Sequence, residues 1–406
     1  MPDAGSDVLC KRGGATMQEF QCPAKIVTGD GSADALGAQA LALGVTRVVV
    51  VTDKILREKT DSVRNAMASL TAAGVAAEVF DDVEPDPMVG TARRSAEFAR
   101  RFAPNGIVGF GGGSPLDIAK ATAAILANEA PLDEMWGVGN IPKPALPMIL
   151  LPTTAGTGSE VTPNCILTDV KPDGGHMKKG IVSPHILARV AIVDPLLTVT
   201  APPPVTAASG MDALTHAVET YVSKSAQPIT LPLALEAIRL IGKYLRRAVA
   251  NGGDLEARRH MANASMLAGM AFANGFLGGV HATAMAMGGQ FNVAHGVANA
   301  LMLPYVMEFN EMAATEKFAR IAEALGESLE GISEREAAHR ATIAVHQLVR
   351  DVGLPHVLAD VKIPEDRIPA LAQESFGNQR LLKNNPRSAT VQDLTRILES
   401  AAGLAR

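Results

Sequence analysis

The sequence predicts a parallel α/β domain followed by an all-helical domain, and three observations carry that reading. From about residue 24 to residue 193, short β-branched runs alternate with helical stretches, the pattern of stacked βαβ units. The triplet Pro202-Pro203-Pro204 then interrupts the chain, because three consecutive prolines continue neither a helix nor a central strand. Beyond it helix formers dominate to the C-terminus, without strand alternation. A chain of 406 residues also exceeds what one hydrophobic core usually accommodates. The expected layout is a flexible extension over 1–16, an α/β domain over 17–200 and a helical domain over 201–406.

Strands are expected at 25–28, 47–52, 76–80, 106–110, 148–151, 166–170 and 190–193, with amphipathic helices such as 61–73 and 91–102 between them. Right-handed crossovers would wind these units into a doubly wound sheet with ligands beyond the carboxyl ends of its strands. In the second half, 232–248, 255–273, 316–325 and 334–352 read as helices.

Composition narrows the function classes. With 47% apolar, 19% charged and 4% aromatic residues, the chain can build cores from aliphatic side chains, which argues against disorder. A net charge of −5 offers no basic surface to nucleic-acid phosphates. Cys10, Cys22 and Cys165 are odd in number and irregularly spaced, without a CxxC pair, which fits a reducing compartment. The first sixteen residues hold no apolar run of signal-peptide length, so a cytoplasmic location is expected. Residues 261–307 contain no Asp, Glu, Lys or Arg, a length that could span a bilayer. Asn263, Asn274, His281, Gln290, Asn292 and His295 interrupt it, however, and such groups are costly in lipid without partners. A pair of helices buried in the helical domain fits better, with the polar side chains bound to something specific.

Four constellations could carry chemistry. After the strand 106–110 comes Gly111-Gly112-Gly113-Ser114, which lets the backbone approach a pyrophosphate at a helix N-terminus. A ligand-free tight turn would look similar. After 148–151 comes TTAGTGSE (153–160), whose hydroxyls and glycines suit a polar ligand or an ordinary Thr/Ser-rich turn. Two such loops on one sheet edge reinforce each other. Asp53, closing the strand 47–52, fits the ribose hydroxyls of NAD and would repel the 2′-phosphate of NADP, and it fits a helix N-cap equally. Asp212 and His216 stand four apart on one helix face, an ordinary pairing that His281 and His295 turn into a metal candidate. One carboxylate and three imidazoles suit Fe²⁺ or Zn²⁺ and match Ca²⁺ or Mg²⁺ poorly. His176, His185, His260, His339, His346 and His356 lie in surface or turn contexts and receive no role.

Six stretches together resemble the iron-containing, or group III, alcohol dehydrogenases: GGGSPLDIAK (111–120), TTAGTGSEVT (153–162), AIVDP (191–195), ASGMDALTHAVETYVS (208–223), AHGVANALMLPYVMEFN (294–310) and NNPRSAT (384–390). They run in the family's order over nearly the whole chain. The resemblance implies a dinucleotide-binding α/β domain and a helical domain in the dehydroquinate synthase-like architecture, with the active site in the cleft between them. It implies NAD(H) as cofactor and Asp212, His216, His281 and His295 as ligands of Fe²⁺, with Zn²⁺ the alternative. Carried over by position, Asp53 meets the adenosine ribose, Gly113 and Ser114 the pyrophosphate, and Thr153, Thr154 and Thr157 the nicotinamide half. Gly112, Asp117 and Lys178 complete the expected cofactor set, and no catalytic residue beyond the metal ligands is assigned. The implied substrate is a small alcohol or aldehyde, in a homodimer or larger homo-oligomer. A zinc-dependent polyol dehydrogenase and a non-catalytic NAD-binding relative are the alternatives. One departure stands out: family members commonly carry a histidine four residues after the third ligand, and here that position is Met285, which exchanges no proton.

Overall fold

The computed structural model describes residues 18–128, 130–170 and 176–404, so the expected extension over 1–16 and Cys10 lie outside the described residues. The first half contains strands β1 (Lys25–Thr28), β2 (Arg47–Val51), β3 (Ala76–Phe80), β4 (Gly106–Gly111), β5 (Gly137–Val138), β6 (Met148–Pro152), β7 (Asn164–Val170), β8 (His176–Val182) and β9 (Val190–Val193). Its helices are α1 (Leu36–Ala42), α2 (Lys54–Lys59), α3 (Ser62–Ala72), α4 (Val89–Phe102) and α5 (Gly113–Asn128).

Six strands form one parallel sheet in the order β1-β9-β6-β4-β2-β3. The strand residues alternate between two cores. Val48 and Val50 of β2 join Leu36, Val63 and Leu70 on one face, while Val49 and Val51 join Ala92, Ala96, Leu116 and Ile118 on the other. The continuous valine run thus follows from helices covering both faces, α1 and α3 on one and α4 and α5 on the other. Each such buried Val, Leu or Ile side chain contributes about 1.5–3 kcal/mol. The chain leaves β2 toward β3 and then crosses back to β4 on the far side of β2. The strand order therefore reverses between β2 and β4, and the crevice beyond their carboxyl ends is the place where such sheets take ligands.

One expectation needs correction. Residues 166–170 are a strand as read, but β7 stands outside the parallel sheet, pairing antiparallel with β8 in a small sheet of order β5-β8-β7. β8 itself went unread, because HMKKGIV carries two lysines and a glycine where strand patterning expects β-branched residues.

The second half is helical in its described residues: α6 (Pro203–Val222), α7 (Thr230–Ala250), α8 (Leu255–Gly275), α9 (Gly279–Phe291), α10 (His295–Asn310), α11 (Thr315–Leu325), α12 (Glu334–Asp351), α13 (Ile368–Gly377), α14 (Gln379–Leu382) and α15 (Val391–Ala401). The proline triplet opens α6, where a missing N–H costs nothing. The charge-free stretch is the end of α8, all of α9 and most of α10, three segments rather than the expected pair. No helix among the described residues is long and apolar enough to cross a membrane.

Candidate metal centre and dinucleotide cleft

Three helices deliver the metal candidates. α6 carries Asp212 and His216 four residues apart, so both project from one face. α9 carries His281 in its first turn, and α10 begins at His295. One donor atom from each of the four lies within 4.8 Å of the others. Asp212, His216 and His281 are buried, but His295 is not as enclosed as its charge-free surroundings suggest: its side chain is 44% exposed, since it stands at a helix start facing the cleft.

Burial raises the Asp212 carboxyl, yet the His216, His295 and His281 imidazoles outweigh it and hold the group below its usual value. Burial pushes His216 down to about 4, against the pull of Asp212, so its imidazole is neutral at physiological pH and has a lone pair to give. His216 Nε2 lies 3.9 Å from Asp212 Oδ1, and its Nδ1 is buried with no hydrogen-bond partner among the described residues. Imidazoles converging on a buried carboxylate are the donor set of a borderline divalent ion such as Fe²⁺ or Zn²⁺.

Two residues that sequence reasoning missed complete this site. Glu219 Oε2 lies 2.6 Å from His281 Nδ1, and Glu219 Oε1 accepts the backbone N–H of Val280 at 2.6 Å. That carboxylate fixes His281 with its proton on Nδ1 and its Nε2 lone pair inward. The signal was present: 212, 216 and 219 follow the i, i+4, i+7 spacing of one helix face. Asn299 is the second, four residues after His295 on α10, with Nδ2 donating to Asp212 Oδ1 at 2.6 Å.

The NNPRSAT stretch anchors the helix that bears His281. Asn385 Oδ1 accepts from Gly279 N at 3.2 Å and from Asn310 Nδ2 at 3.0 Å, while Asn384 Nδ2 donates to Leu277 O at 3.2 Å. A Cβ on Gly278 would stand 3.0 Å from Asn385 Oδ1 and 3.3 Å from Glu219 Oε1, so a side chain there would press on the groups that anchor the start of α9.

Across the cleft, the glycine loop after β4 faces the threonine loop after β6. A Cβ on Gly113 would meet Thr157 Cγ2 at 2.9 Å, and one on Gly112 would meet Thr154 at 3.5 Å. Gly111 has φ +150 and leads into α5, whose first turn begins at Gly113, with Ser114 next. These features form a cradle of backbone amides at a sixteen-residue helix start, which fits a pyrophosphate. Thr153 is buried, its N–H bonded to Gly111 O at 2.9 Å, so it ties the two loops together. Asp53 caps α2, with Oδ1 accepting from Leu56 N at 2.9 Å, and stands at the β2 side of the switch-point crevice. Asp117 has both oxygens engaged, by Ser159 Oγ at 2.8 Å and by Ile166 N at 2.9 Å, and so joins α5 to the hairpin. Lys178 on β8 bonds Asp86 Oδ1 at 2.5 Å and Thr168 Oγ1 at 2.9 Å.

Lys178 and His295 share a cleft of about 320 Å³, walled by Met88, Met177, Ala284, Met285 and Val293, with Glu84 and Asp86 at its polar side. Met285 Sδ accepts from Asn378 Nδ2 at 3.4 Å. The histidines left without a role stay away from this centre where described: His260 stacks on Tyr244 and His346 meets Tyr305 edge-on.

Comparison with known proteins agrees across both halves. Residues 23–195 match the family model for iron-containing alcohol dehydrogenase, and residues 206–402 match the C-terminal model of the Fe-containing alcohol dehydrogenase family. The chain is 42% identical over 376 residues to long-chain-alcohol dehydrogenase 1 of Geobacillus thermodenitrificans (strain NG80-2), covering 92% of this chain and 94% of that protein. It is 38% identical over 385 residues to the NAD-dependent methanol dehydrogenase of Bacillus methanolicus, covering 95% and 100%. Among solved structures, a 1,3-propanediol oxidoreductase superposes with a TM-score of 0.91 at 41% identity, covering 95% of this chain and all of that one.

Proposed function

The chain belongs to the iron-containing alcohol dehydrogenase family, an oxidoreductase of alcohols and aldehydes, and from that premise we propose that it interconverts a small alkyl alcohol and its aldehyde with NAD(H). The observation that carries the proposal is the convergence of Asp212, His216, His281 and His295 beside a cleft that His295 itself lines. These four would hold Fe²⁺, with Zn²⁺ the alternative. When bound, the ion supplies Lewis acidity to a substrate oxygen and the nicotinamide gives or takes the hydride.

The residues of the chain supply orientation and exclusion of water. Gly112, Gly113 and Ser114 offer backbone amides to the pyrophosphate, with Thr154 and Thr157 opposite them. Asp53 keeps Oδ2 for the adenosine ribose while Oδ1 caps α2, so the cap and the ribose readings are compatible. Lys178, steadied by Asp86 and Thr168, presents its charge at the cleft toward the nicotinamide half. Asp117 supports the loop through Ser159 rather than through a free oxygen. Met88, Met177, Met285 and Val293 favour an alkyl chain over a polyol. Met285 holds no exchangeable proton, so the proton leaving the substrate hydroxyl does not pass through this side chain.

We further infer a cytoplasmic homodimer or larger assembly of 42.3 kDa chains. The two cysteines among the described residues are free, which suits a reducing compartment, and light scattering would read the assembly size. The deciding experiment follows NADH absorbance across a panel of alkyl aldehydes and polyols, using protein stripped of metal and reloaded with Fe²⁺, Zn²⁺ or Mg²⁺. Turnover of alkyl aldehydes with Fe²⁺ or Zn²⁺ is expected. A flat trace with every ion would leave the non-catalytic alternative.

A further inference from the structure

Three acceptors in the candidate metal centre face a single amide. Asn299 is fully buried, and its Nδ2 lies 2.6 Å from Asp212 Oδ1, 3.2 Å from His281 Nε2 and 3.1 Å from His295 Nε2. An amide nitrogen has two hydrogens, so these three atoms share them when His295 carries its proton on Nδ1. The His281 contact uses the lone pair that a cation would use, because Glu219 already engages Nδ1 on the other side of the ring. The orientation of the amide also leaves its carbonyl Oδ1 buried with no partner among the described residues. A buried unpaired oxygen costs free energy, so the converging acceptors, and not the carbonyl, dictate how this side chain lies.

We propose that Asn299 is the placeholder of the metal centre: in the metal-free protein its N–H groups hold together three of the four donors that the ion holds in the loaded protein, and loading breaks those hydrogen bonds. An ion about 2.0–2.2 Å from imidazole nitrogen and carboxylate oxygen takes the same lone pairs. An N–H dipole pointing at the same atoms then meets a cation with its positive end, and the amide gives way. Asn299 is therefore a positioning residue whose hydrogen bonds stabilise the empty site only. It keeps one carboxylate and two imidazoles, those of Asp212, His281 and His295, assembled for capture and lowers the affinity of the final complex, since its bonds are lost on loading. The proposal rests on the metal reading of the four donors.

The test measures thermal unfolding of stripped and Zn²⁺-loaded protein, together with the Zn²⁺ dissociation constant by competition with a chromophoric chelator. Asn299→Ala leaves a cavity in both forms, and that common loss cancels in the difference between them. The stripped variant is expected to lose about 1–2 °C more than the loaded variant, and its dissociation constant to tighten about tenfold. Asn299→Asp keeps the volume, removes the donors and adds a charge, so it should widen the loading gap further. The visible spectrum of the Co²⁺-loaded Asn299→Ala protein should match that of wild type, because the amide is no ligand. Equal losses in both forms would overturn the proposal, as would a weaker Zn²⁺ constant in both variants or an altered Co²⁺ spectrum. A wild type that gains nothing from loading would overturn the metal reading, and the proposal with it.

Discussion

The two sides of the cleft are built by opposite means. On the α/β side, the cradle is made of backbone: glycines that a Cβ would crowd, a helix start and threonines tying neighbouring loops. On the helical side, the centre is made of side chains, four donors plus Glu219 and Asn299, each buried or nearly so except His295. Burial favours the neutral form of a titratable group on both sides. Burial drives His216 down to about 4, whereas burial drives Glu160, beside the threonine loop, up to about 7. A site made of backbone asks for room, and a site made of side chains asks for support. The difference can be broken one side at a time.

The largest expected effect is a reciprocal pair. His281→Ala should abolish metal-dependent turnover while NADH binding, read by fluorescence, stays close to wild type. Gly113→Val should weaken NADH binding more than tenfold, since its Cβ would meet Thr157 Cγ2 at 2.9 Å, while zinc or iron content measured by emission spectrometry stays unchanged. Loss of both functions in either variant would mean the two sides are one folding unit.

A smaller effect sharpens the idea of support. Glu219→Gln retains the volume but removes the charge that orients His281, and metal affinity should fall about 10- to 100-fold by chelator competition. An unchanged constant would reduce Glu219 to a packing residue.

The smallest effect is in pH. His216 is held neutral below its usual value, so the unfolded chain binds more protons, and stripped protein loses stability as pH falls from about 6.5 toward 4. Glu160 is raised, so the folded chain keeps a proton that the unfolded chain gives up, and stability declines as pH climbs from about 4.5 through 7. Each contributes at most about 3 kcal/mol. Glu160→Gln should therefore raise the melting temperature at pH 8 and leave it nearly unchanged at pH 5. An equal shift at both pH values would remove Glu160 from the account.

What the sequence made legible follows the same division. The parallel strands were readable because both faces are covered, and the valine run of β2 records that coverage. The loops were readable as glycine- and threonine-rich turns after parallel strands, patterns that each also fit a turn without a ligand, and the approach of Gly113 to Thr157 shows that they face each other. β8 was not, since its pairing with β7 comes from a hairpin partner and not from its own pattern. The four donors were legible as residue types at helical spacing or in a charge-free stretch. Asn299 was not, because a helical asparagine resembles any other until the opposing helix is in view, and Glu219 was overlooked although it shares the helix face of Asp212 and His216. His295 was expected to be enclosed, and its position at the first residue of α10 instead opens it to the cleft.

The threonine loop has one more property. At Gly158, where φ is +59, an added methyl would stand 2.6 Å from Gly269 Cα on α8, and at Gly156 it would stand 2.6 Å from Ser209 Cβ on α6. Main chain thus lies against helix at a seam too close for side chains to slide past. The two halves are therefore spaced by main chain at this seam. Met285 and Val293 line the cleft away from it, where a change of side chain alters the cavity wall and leaves that spacing alone.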